Sequence, residues 1–410
     1  MASPSRLKRS LGLFDATTLG IASMVGAGVF VVLSPAAARA GSMLWVALML
    51  AAVVATANAL AIAALATVHP SSGGAYLYGR EQLGPWPGFL AGWGFVTGKT
   101  ASCAAMAYTF GLYAAPRYAV PLAIGAVAAV TAVNLRGINR TAGAARLLLA
   151  PVLGLLAFVA VGALTGTAAA PDAAAGAPHA WAVPQAAALL FFAFAGYARI
   201  ATLGEEVRDP ERTIPLAIVG ALGATLVLYG VLAAGLVHLL GLQGLAETTT
   251  PVRDAVVRLG APAWIAAAGA ALAALGALLA LVAGISRTAL AMARGGDLPV
   301  ALARVSTRHS VPWVAEVAVA VLVALLVLAT DVTTIIGFSS FGVLVYYAVA
   351  NASAGTLRER PWYSPRWLNA AGGAACLLLA ARLPPASVAT MLGVFAVGCA
   401  GRAVALRTRR

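Results

Sequence analysis

Charged residues are scarce in this chain of 410 residues, making up 10% of the total against about 25% in soluble domains. Hydrophobic residues make up 61%. This composition excludes a water-soluble protein, because so few charges cannot cover the surface of a soluble domain. A helix that crosses a hydrocarbon core about 30 Å thick needs about 20 residues, so the length accommodates twelve such helices with short loops.

Cysteine and histidine are also rare, with three and four residues respectively. The cysteines lie inside apolar runs without a CxxC pair, and the histidines are scattered without a second ligand at metal-binding spacing. Gly98-Lys99-Thr100 imitates the end of a phosphate-binding loop, but Trp93 occupies the earlier glycine position. We therefore expect no metal site and no cofactor.

Lysine is nearly absent, since 25 of the 27 basic residues are arginines. They recur singly at the ends of apolar segments, which argues against a nucleic-acid surface. The positive-inside rule predicts a multi-pass protein of the cell membrane with both termini in the cytoplasm. With this orientation five arginines fall outside: Arg39, Arg117, Arg253, Arg258 and Arg382. The first apolar segment has no convincing cleavage site, so we expect no signal peptide.

Twelve apolar segments follow one another along the chain. They are 12–35, 42–67, 87–114, 118–134, 147–167, 184–204, 214–241, 262–292, 313–330, 332–353, 368–383 and 386–405. Because lipid offers backbone groups no hydrogen-bond partners, segments of this length are predicted to be helical. The alternation typical of a membrane barrel is missing. We predict one all-α transmembrane domain over residues 1–410.

Glycines interrupt the first segment between residues 20 and 28, and the sixth at Gly196. The two interruptions are equivalent if residues 12–167 and 184–353 form two inverted halves, followed by two extra helices at 368–405. Paired interruptions of this kind point to a transporter's site at the membrane midplane. The alternative is that these glycines only permit close helix packing.

A broken helix has free amide groups at the start of its second half and free carbonyls at the end of its first. We expect the amides of Ala27 and Gly28 to bind a carboxylate, and carbonyls near Ser23 and Ala195 to bind an ammonium group. The flanking side chains are mostly apolar, which favours a small to medium neutral amino acid. The predicted substrate-binding residues are Ser23, Met24, Val25, Gly26, Ala27, Gly28, Phe194, Ala195, Gly196, Tyr197 and Ile200.

Lys99 and Arg199 are cations well inside apolar segments, where insertion of a charge costs at least about 2.5–3.5 kcal/mol. We expect both to face the protein interior, as a coupling group or a fixed charge. Lys99 is the candidate proton carrier, since arginine keeps its proton. Proton coupling is therefore favoured over sodium coupling. The alternative is that one or both snorkel to an interface.

A dense charge cluster, residues 205–212, follows the sixth segment. We predict a cytoplasmic gate formed by Phe191, Glu205, Glu206 and Asp15, with Arg294 and Asp297 as further partners. In this interpretation the ion pairs break when the protein opens inward. The alternative is a solvated loop.

Four stretches in this order resemble the amino acid-polyamine-organocation (APC) superfamily of permeases. They are GIASMVGAGVF at 20–30, PSSGGAY at 70–76, FAGY at 194–197 with Glu205-Glu206 and Pro210, and Ser286-Arg287 with GDLP at 296–299. The resemblance implies a LeuT-type fold, with secondary active transport of amino acids by alternating access. It also implies substrate binding at the unwound parts of spans 1 and 6.

Three departures from the superfamily pattern concern coupling. Ala64 and Ala198 stand where many members carry an acid, and the span around Pro151 lacks the lysine that some proton-coupled members use. Our hypothesis is that Lys99 and Arg199 replace the missing charges. The coupling could instead be exchange.

Other functions stay open at this point. The rival within transport is a permease for polyamines or other organic cations. A channel and an intramembrane enzyme are more remote, because no set of pore ligands and no catalytic constellation stands out in the spans. We therefore predict a transporter and not an enzyme.

Overall fold

The computed structural model describes residues 7–169, 181–329 and 332–408. Secondary structure in these ranges is helical apart from one bridge between Leu11 and Val207. The helices before residue 170 are α1 (Leu13–Met24), α2 (Ala27–Val31), α3 (Leu33–Ala40), α4 (Leu44–Val68), α5 (Ala75–Leu83), α6 (Pro85–Ala114), α7 (Ala119–Asn134) and α8 (Ile138–Thr165).

The later helices contain the second interrupted segment. They are α9 (Ala182–Phe194), α10 (Ala198–Ala201), α11 (Pro210–Glu247), α12 (Pro251–Arg258), α13 (Ala263–Arg294), α14 (Trp313–Ala329), α15 (Val332–Thr356), α16 (Arg366–Ala381) and α17 (Pro385–Thr408). Short 3-10 turns connect some of them.

Seven helical stretches of the described residues are long and apolar enough to cross a membrane. They are Leu13–Val31, Leu33–Val68, Pro116–Asn134, Ile138–Thr165, Pro210–Glu247, Ala263–Arg294 and Pro385–Arg407. The prediction of an all-α, multi-pass membrane protein is therefore confirmed at this level. The count of twelve spans stays a prediction.

The helix bounds differ from the predicted apolar segments mainly where a helix also contains charged residues beyond the end of the segment. α8 begins at Ile138, nine residues before the predicted start at 147, and thus contains Arg140 and Arg146. Arg146 pairs with Asp15 of α1 at 3.2 Å. Helices α3, α5 and α12 are shorter elements that the hydrophobic pattern does not single out as spans.

Two groups of helices contact each other through α1, α8, α11 and α13. In the α4 group, which contains α1, α4, α9, α10 and α11, α4 packs against α9 and α11. In the α6 group, which contains α6, α7, α8, α13 and α14, α13 packs against α6, α8 and α14. Helix α15 contacts both α6 and α4. The two interrupted segments belong to the α4 group.

Close packing of α6 on α15 depends on Gly94 and Gly342. A Cβ added at Gly94 would lie 2.8 Å from the carbonyl oxygen of Gly342. We expect Gly94→Ala to destabilise the protein by about 1–3 kcal/mol, because the helix backbones must separate. Thermal unfolding in detergent measures this. The control is Gly125→Ala on exposed α7 surface, where no atom lies within 4 Å; equal melting temperatures for the two variants would contradict the expectation.

Candidate functional site

The first interrupted segment is a break between α1 and α2. Helix α1 ends at Met24, and Gly26 is extended, with φ −104° and ψ −156°, before α2 begins at Ala27. The Gly26 amide bonds to the Met24 carbonyl at 2.8 Å. The amides of Ala27 and Gly28 lie in the first turn of α2, where a helix supplies no internal acceptor.

The second interrupted segment is a break between α9 and α10. Helix α9 ends at Phe194 and α10 begins at Ala198. The Gly196 amide bonds to the Phe194 carbonyl at 2.8 Å, and the Arg199 amide to the Gly196 carbonyl at 3.0 Å. These local turns replace the regular helical bonds between the two helices.

The two breaks contact each other directly. The Ser23 hydroxyl donates to the Gly196 carbonyl at 2.8 Å. A Cβ at Gly196 would lie 2.5 Å from the Ser23 carbonyl carbon, so this approach requires glycine. Further along, Gly28 faces Ala193 and Gly20 faces Ile200. Along these contacts the residue numbers of the first interrupted segment rise while those of the second fall. The two segments therefore run antiparallel.

Two tyrosines satisfy carbonyl groups at the breaks. The Tyr229 hydroxyl of α11 donates to the Met24 carbonyl at 2.7 Å. The Tyr347 hydroxyl of α15 donates to the Ala195 carbonyl at 3.2 Å. Free carbonyls cannot be left without partners in lipid. Sequence reasoning missed both tyrosines, although polar groups inside apolar segments are a signal for such a role.

Tyr197 lies in the second break with a different environment. It is fully buried and its ring lies 5.2 Å from that of Tyr347. Its hydroxyl is near Tyr347 and Asn58 but makes no hydrogen bond of good geometry among the described residues. The second break therefore contains a buried polar group close to two other polar side chains.

A cavity of about 520 Å³ lies beside α2 and α9, the helices that adjoin the two breaks. Its lining includes Gly28, Met106 and Phe192, and residues of the segment before α12 and of α12, such as Thr250 and Arg253. Of the predicted substrate-binding residues, Gly28 lines this cavity. Apart from Ile200, the others that the structure describes with side chains are buried at the breaks.

Ile200 and Phe191 lie beside the breaks rather than in them. The Ile200 side chain packs on Gly20 of α1. Phe191 is buried against the Tyr347 ring at 5.6 Å, whereas the next residue, Phe192, lines the cavity. The rotation of α9 about its axis determines which of the two phenylalanines faces the cavity.

Comparison with known proteins identifies the family of this chain. The family described as amino acid permease matches residues 11–399. The chain belongs to this family. The permease is thus a transporter and not an enzyme, as predicted, and the APC resemblance is confirmed.

Relatives of the permease carry several descriptions. An uncharacterised transporter of Mycobacterium tuberculosis is 51% identical over 407 residues, covering 98% of this chain and 92% of that protein. The branched-chain amino acid permease BcaP of Bacillus subtilis is 26% identical, covering 89% of this chain and 84% of that protein. Cationic amino acid transporter 7 (chloroplastic) of Arabidopsis thaliana is 27% identical, with coverages of 85% and 66%.

Lys99 faces the interior of the permease. It lies seven residues from both Gly92 and Met106 on α6, and residues at this spacing share a helix face. Gly92 contacts Met292 of α13, and Met106 lies beside Gly26 at the first break. Lys99 is 4% exposed, and no hydrogen bond or ion pair to its amino group occurs among the described residues.

Arg199 lies against α13. Its Nε donates to the Ala280 carbonyl and its Nη1 to the Thr202 hydroxyl, both at 2.7 Å. Gly284 leaves room for the side chain, since a Cβ there would lie 3.2 Å from Nε. The remaining nitrogen, Nη2, is buried without a partner among the described residues. Arg199 is thus an interior cation held by a main-chain oxygen.

A fully buried ion cluster lies beyond the second break. Arg287 of α13 donates to Glu206 at 2.8 and 2.9 Å, and to Glu316 of α14 at 2.6 Å. All three side chains have no exposed surface. Ser286 also donates to Glu316, at 2.9 Å. Sequence reasoning missed Glu316, although a lone acid inside the segment 313–330 is the relevant signal.

The predicted gate residues are distributed over separate ion pairs. Glu205 pairs with Arg294 at 2.8 Å, and Glu206 with Arg287. Asp15 pairs with Arg146 of α8 and accepts a hydrogen bond from the Gly12 amide at the start of α1. Asp297 pairs with Arg80 at 2.8 Å and with Arg402 of α17 at 2.7 Å. Phe191 lies in α9, before the second break, whereas Glu205 and Glu206 follow α10 after it.

Backbone hydrogen bonds also join the segment after α10 to the N-terminal segment. The amides of Ser10 and Leu11 donate to the Glu206 carbonyl at 2.8 and 3.0 Å, and the Arg208 amide donates to the Leu11 carbonyl at 2.9 Å. The Glu205 amide donates to the Ser72 hydroxyl at 3.2 Å. The segment after α10 is therefore joined to the N-terminal segment and to the loop before α5.

Glycine at the second break is expected to be essential for substrate binding. Gly196→Ala should lower affinity at least about tenfold, because an added methyl group pushes α9–α10 away from Ser23. Ligand-induced thermal stabilisation measures this. Gly230→Ala is the matched control, since nothing lies within 4 Å of that position; unchanged affinity in Gly196→Ala would contradict the assigned site.

The buried ion cluster is expected to be essential for stability. Glu316→Gln should destabilise the protein by about 3–5 kcal/mol, because the buried Arg287 loses one of the two carboxylates that neutralise it. Glu205→Gln, at a partly exposed ion pair, should change stability by less than about 1 kcal/mol. Thermal unfolding of both variants in detergent provides the comparison, and equal losses would contradict it.

Proposed function

We propose that this permease moves small to medium neutral amino acids across the cell membrane by alternating access. The observation that supports the neutral substrate is the distribution of buried carboxylates. Within the described ranges the fully buried ones are Glu206 and Glu316, and both contact Arg287. A cationic side chain or a polyamine would therefore enter the site without a buried carboxylate to pair with.

The substrate's charged groups would bind at the backbone of the two breaks. The amides of Ala27 and Gly28 are suited to the carboxylate, because they lie at the positive end of α2. The carbonyls of Met24 and Ala195 each accept one tyrosine hydroxyl and keep a second lone pair for the ammonium group. The side chains of Met24, Phe194 and Tyr197 would surround the substrate's own side chain.

The architecture that we propose is twelve spans, with two inverted halves at residues 12–167 and 184–353 and two extra helices at 368–405. The antiparallel contact of the two breaks supports it, since inverted halves bring equivalent segments together in opposite directions. With both termini in the cytoplasm, the cavity beside α2 and α12 opens to the outside. The joined segments at residues 10–11 and 206–208 then close the cytoplasmic side.

We propose that Lys99 carries the coupling charge, through proton coupling or by favouring exchange. Its interior position, without an anionic partner among the described residues, supports this role, because lysine can lose its proton inside a protein whereas arginine keeps it. Lys99→Ala should leave ligand binding measurable and alter the pH dependence of uptake. Uptake into proteoliposomes at several pH values tests this. A collapse of uptake on removing external sodium, with no effect of dissipating the proton gradient, would contradict it.

The substrate class is tested by binding and by transport. Leucine at 100 times its dissociation constant is expected to stabilise the purified protein by about 2.7 kcal/mol. It should also drive saturable counterflow in proteoliposomes. Arginine and putrescine, tested in parallel, should do neither. Stabilisation and counterflow with putrescine alone would instead favour a polyamine permease, and neither with any amino acid would overturn the proposal.

A further inference from the structure

Four ionic side chains are buried together between the α4 and α6 groups. Arg199 is 1% exposed, and Arg287, Glu206 and Glu316 have no exposure. The charges balance, with two cations and two anions. Their pairing does not, because both carboxylates contact Arg287 whereas Arg199 contacts neither. One guanidinium therefore holds two anions while the other keeps a buried nitrogen, Nη2, without a partner among the described residues.

The cluster is divided between the two helix groups. Arg287 and Glu316 belong to α13 and α14 of the α6 group, and Asn134 of α7 lies within 3.5 Å of Glu316. Glu206 follows α10 of the α4 group, and Arg199 lies seven residues before it on the same segment. Hydrogen-bonded turns through Thr202 and Leu203 connect these two residues. A separation of the groups would leave one arginine and one carboxylate on each side.

Such a separation breaks the contact between Arg287 and Glu206 and leaves the contact between Arg287 and Glu316 intact. Glu206 would then be a carboxylate without a partner in a low-dielectric environment, which is strongly unfavourable. Arg199 is already within electrostatic range of Glu206. Its Nη2 is the donor that a carboxylate arriving from Arg287 requires.

We propose that Glu206 exchanges Arg287 for Arg199 when the permease opens toward its N-terminal side. Each buried carboxylate then has its own guanidinium in the open state, so Arg199 is a positioning residue for the transport cycle. The inference rests on the alternating-access function proposed above. It assigns Arg199 to the conformational change and not to the substrate.

Arg199→Gln tests the exchange, because glutamine keeps a donor for the Ala280 carbonyl and removes the charge. We expect turnover in leucine counterflow to fall at least about tenfold, with the apparent KM unchanged within about twofold. Arg199→Lys keeps the charge and should retain most of the turnover. Arg140→Gln, on the exposed surface of α8, is the matched control and should remain near wild type.

The double variant Arg199→Gln, Glu206→Gln separates this role from a structural one. An uncharged glutamine side chain at position 206 needs no cation after leaving Arg287, so turnover should recover at least about tenfold relative to Arg199→Gln alone. Size-exclusion profiles and melting temperatures verify folding. If Arg199→Gln does not fold, turnover in counterflow is measured in Arg199→Lys instead. Loss of turnover in this lysine variant overturns the exchange.

Three results overturn the inference. They are wild-type turnover in Arg199→Gln, a raised KM at unchanged turnover, and a slow variant that the second substitution does not rescue. These results are distinct from failure of the proposed function, in which the wild-type protein itself shows no leucine counterflow. All of these results come from the same measurement, leucine counterflow in vesicles.

Discussion

Contact between the two helix breaks is the constraint on which the rest of the structure depends. A bilayer offers no water to a broken backbone, so every freed carbonyl must find a partner within the protein. Ser23, Tyr229 and Tyr347 supply hydroxyls to carbonyls of the two breaks. This requirement brings α1, α9, α11 and α15 together at one point. The polar groups of the site are therefore also the groups that fix the helix packing.

Charge is organised by the same constraint. Arg287 is fully buried because Glu206 and Glu316 neutralise it from two helix groups. Such a cluster need not add net stability over an apolar core, but removal of one member is unfavourable. The second break connects the site to this cluster, since residues 194 to 206 contain the end of α9, the break, α10 and Glu206. The second break and the ion cluster are therefore separated by only a few turns of the same segment.

The sequence determined the membrane class, the helical fold and the positions of both breaks. Long apolar segments permit no other backbone structure in lipid, and glycine marks where it is interrupted. It also indicated that Lys99 and Arg199 face the interior, since an exposed cation in lipid is unfavourable. The family match covers both breaks, since it extends over residues 11–399.

Tertiary structure alone decided which groups are partners. Glu316, Arg287 and Glu206 are far apart in the chain, as are Ser23 and Gly196, and hydrophobic periodicity carries no information on such pairs. The same holds for the phenylalanines at 191 and 192, since the rotation of α9 selects the one that lines the cavity. Composition and spacing indicate whether a segment is buried and where its helix is interrupted. Which oxygen meets which donor depends on how the helices are packed in three dimensions.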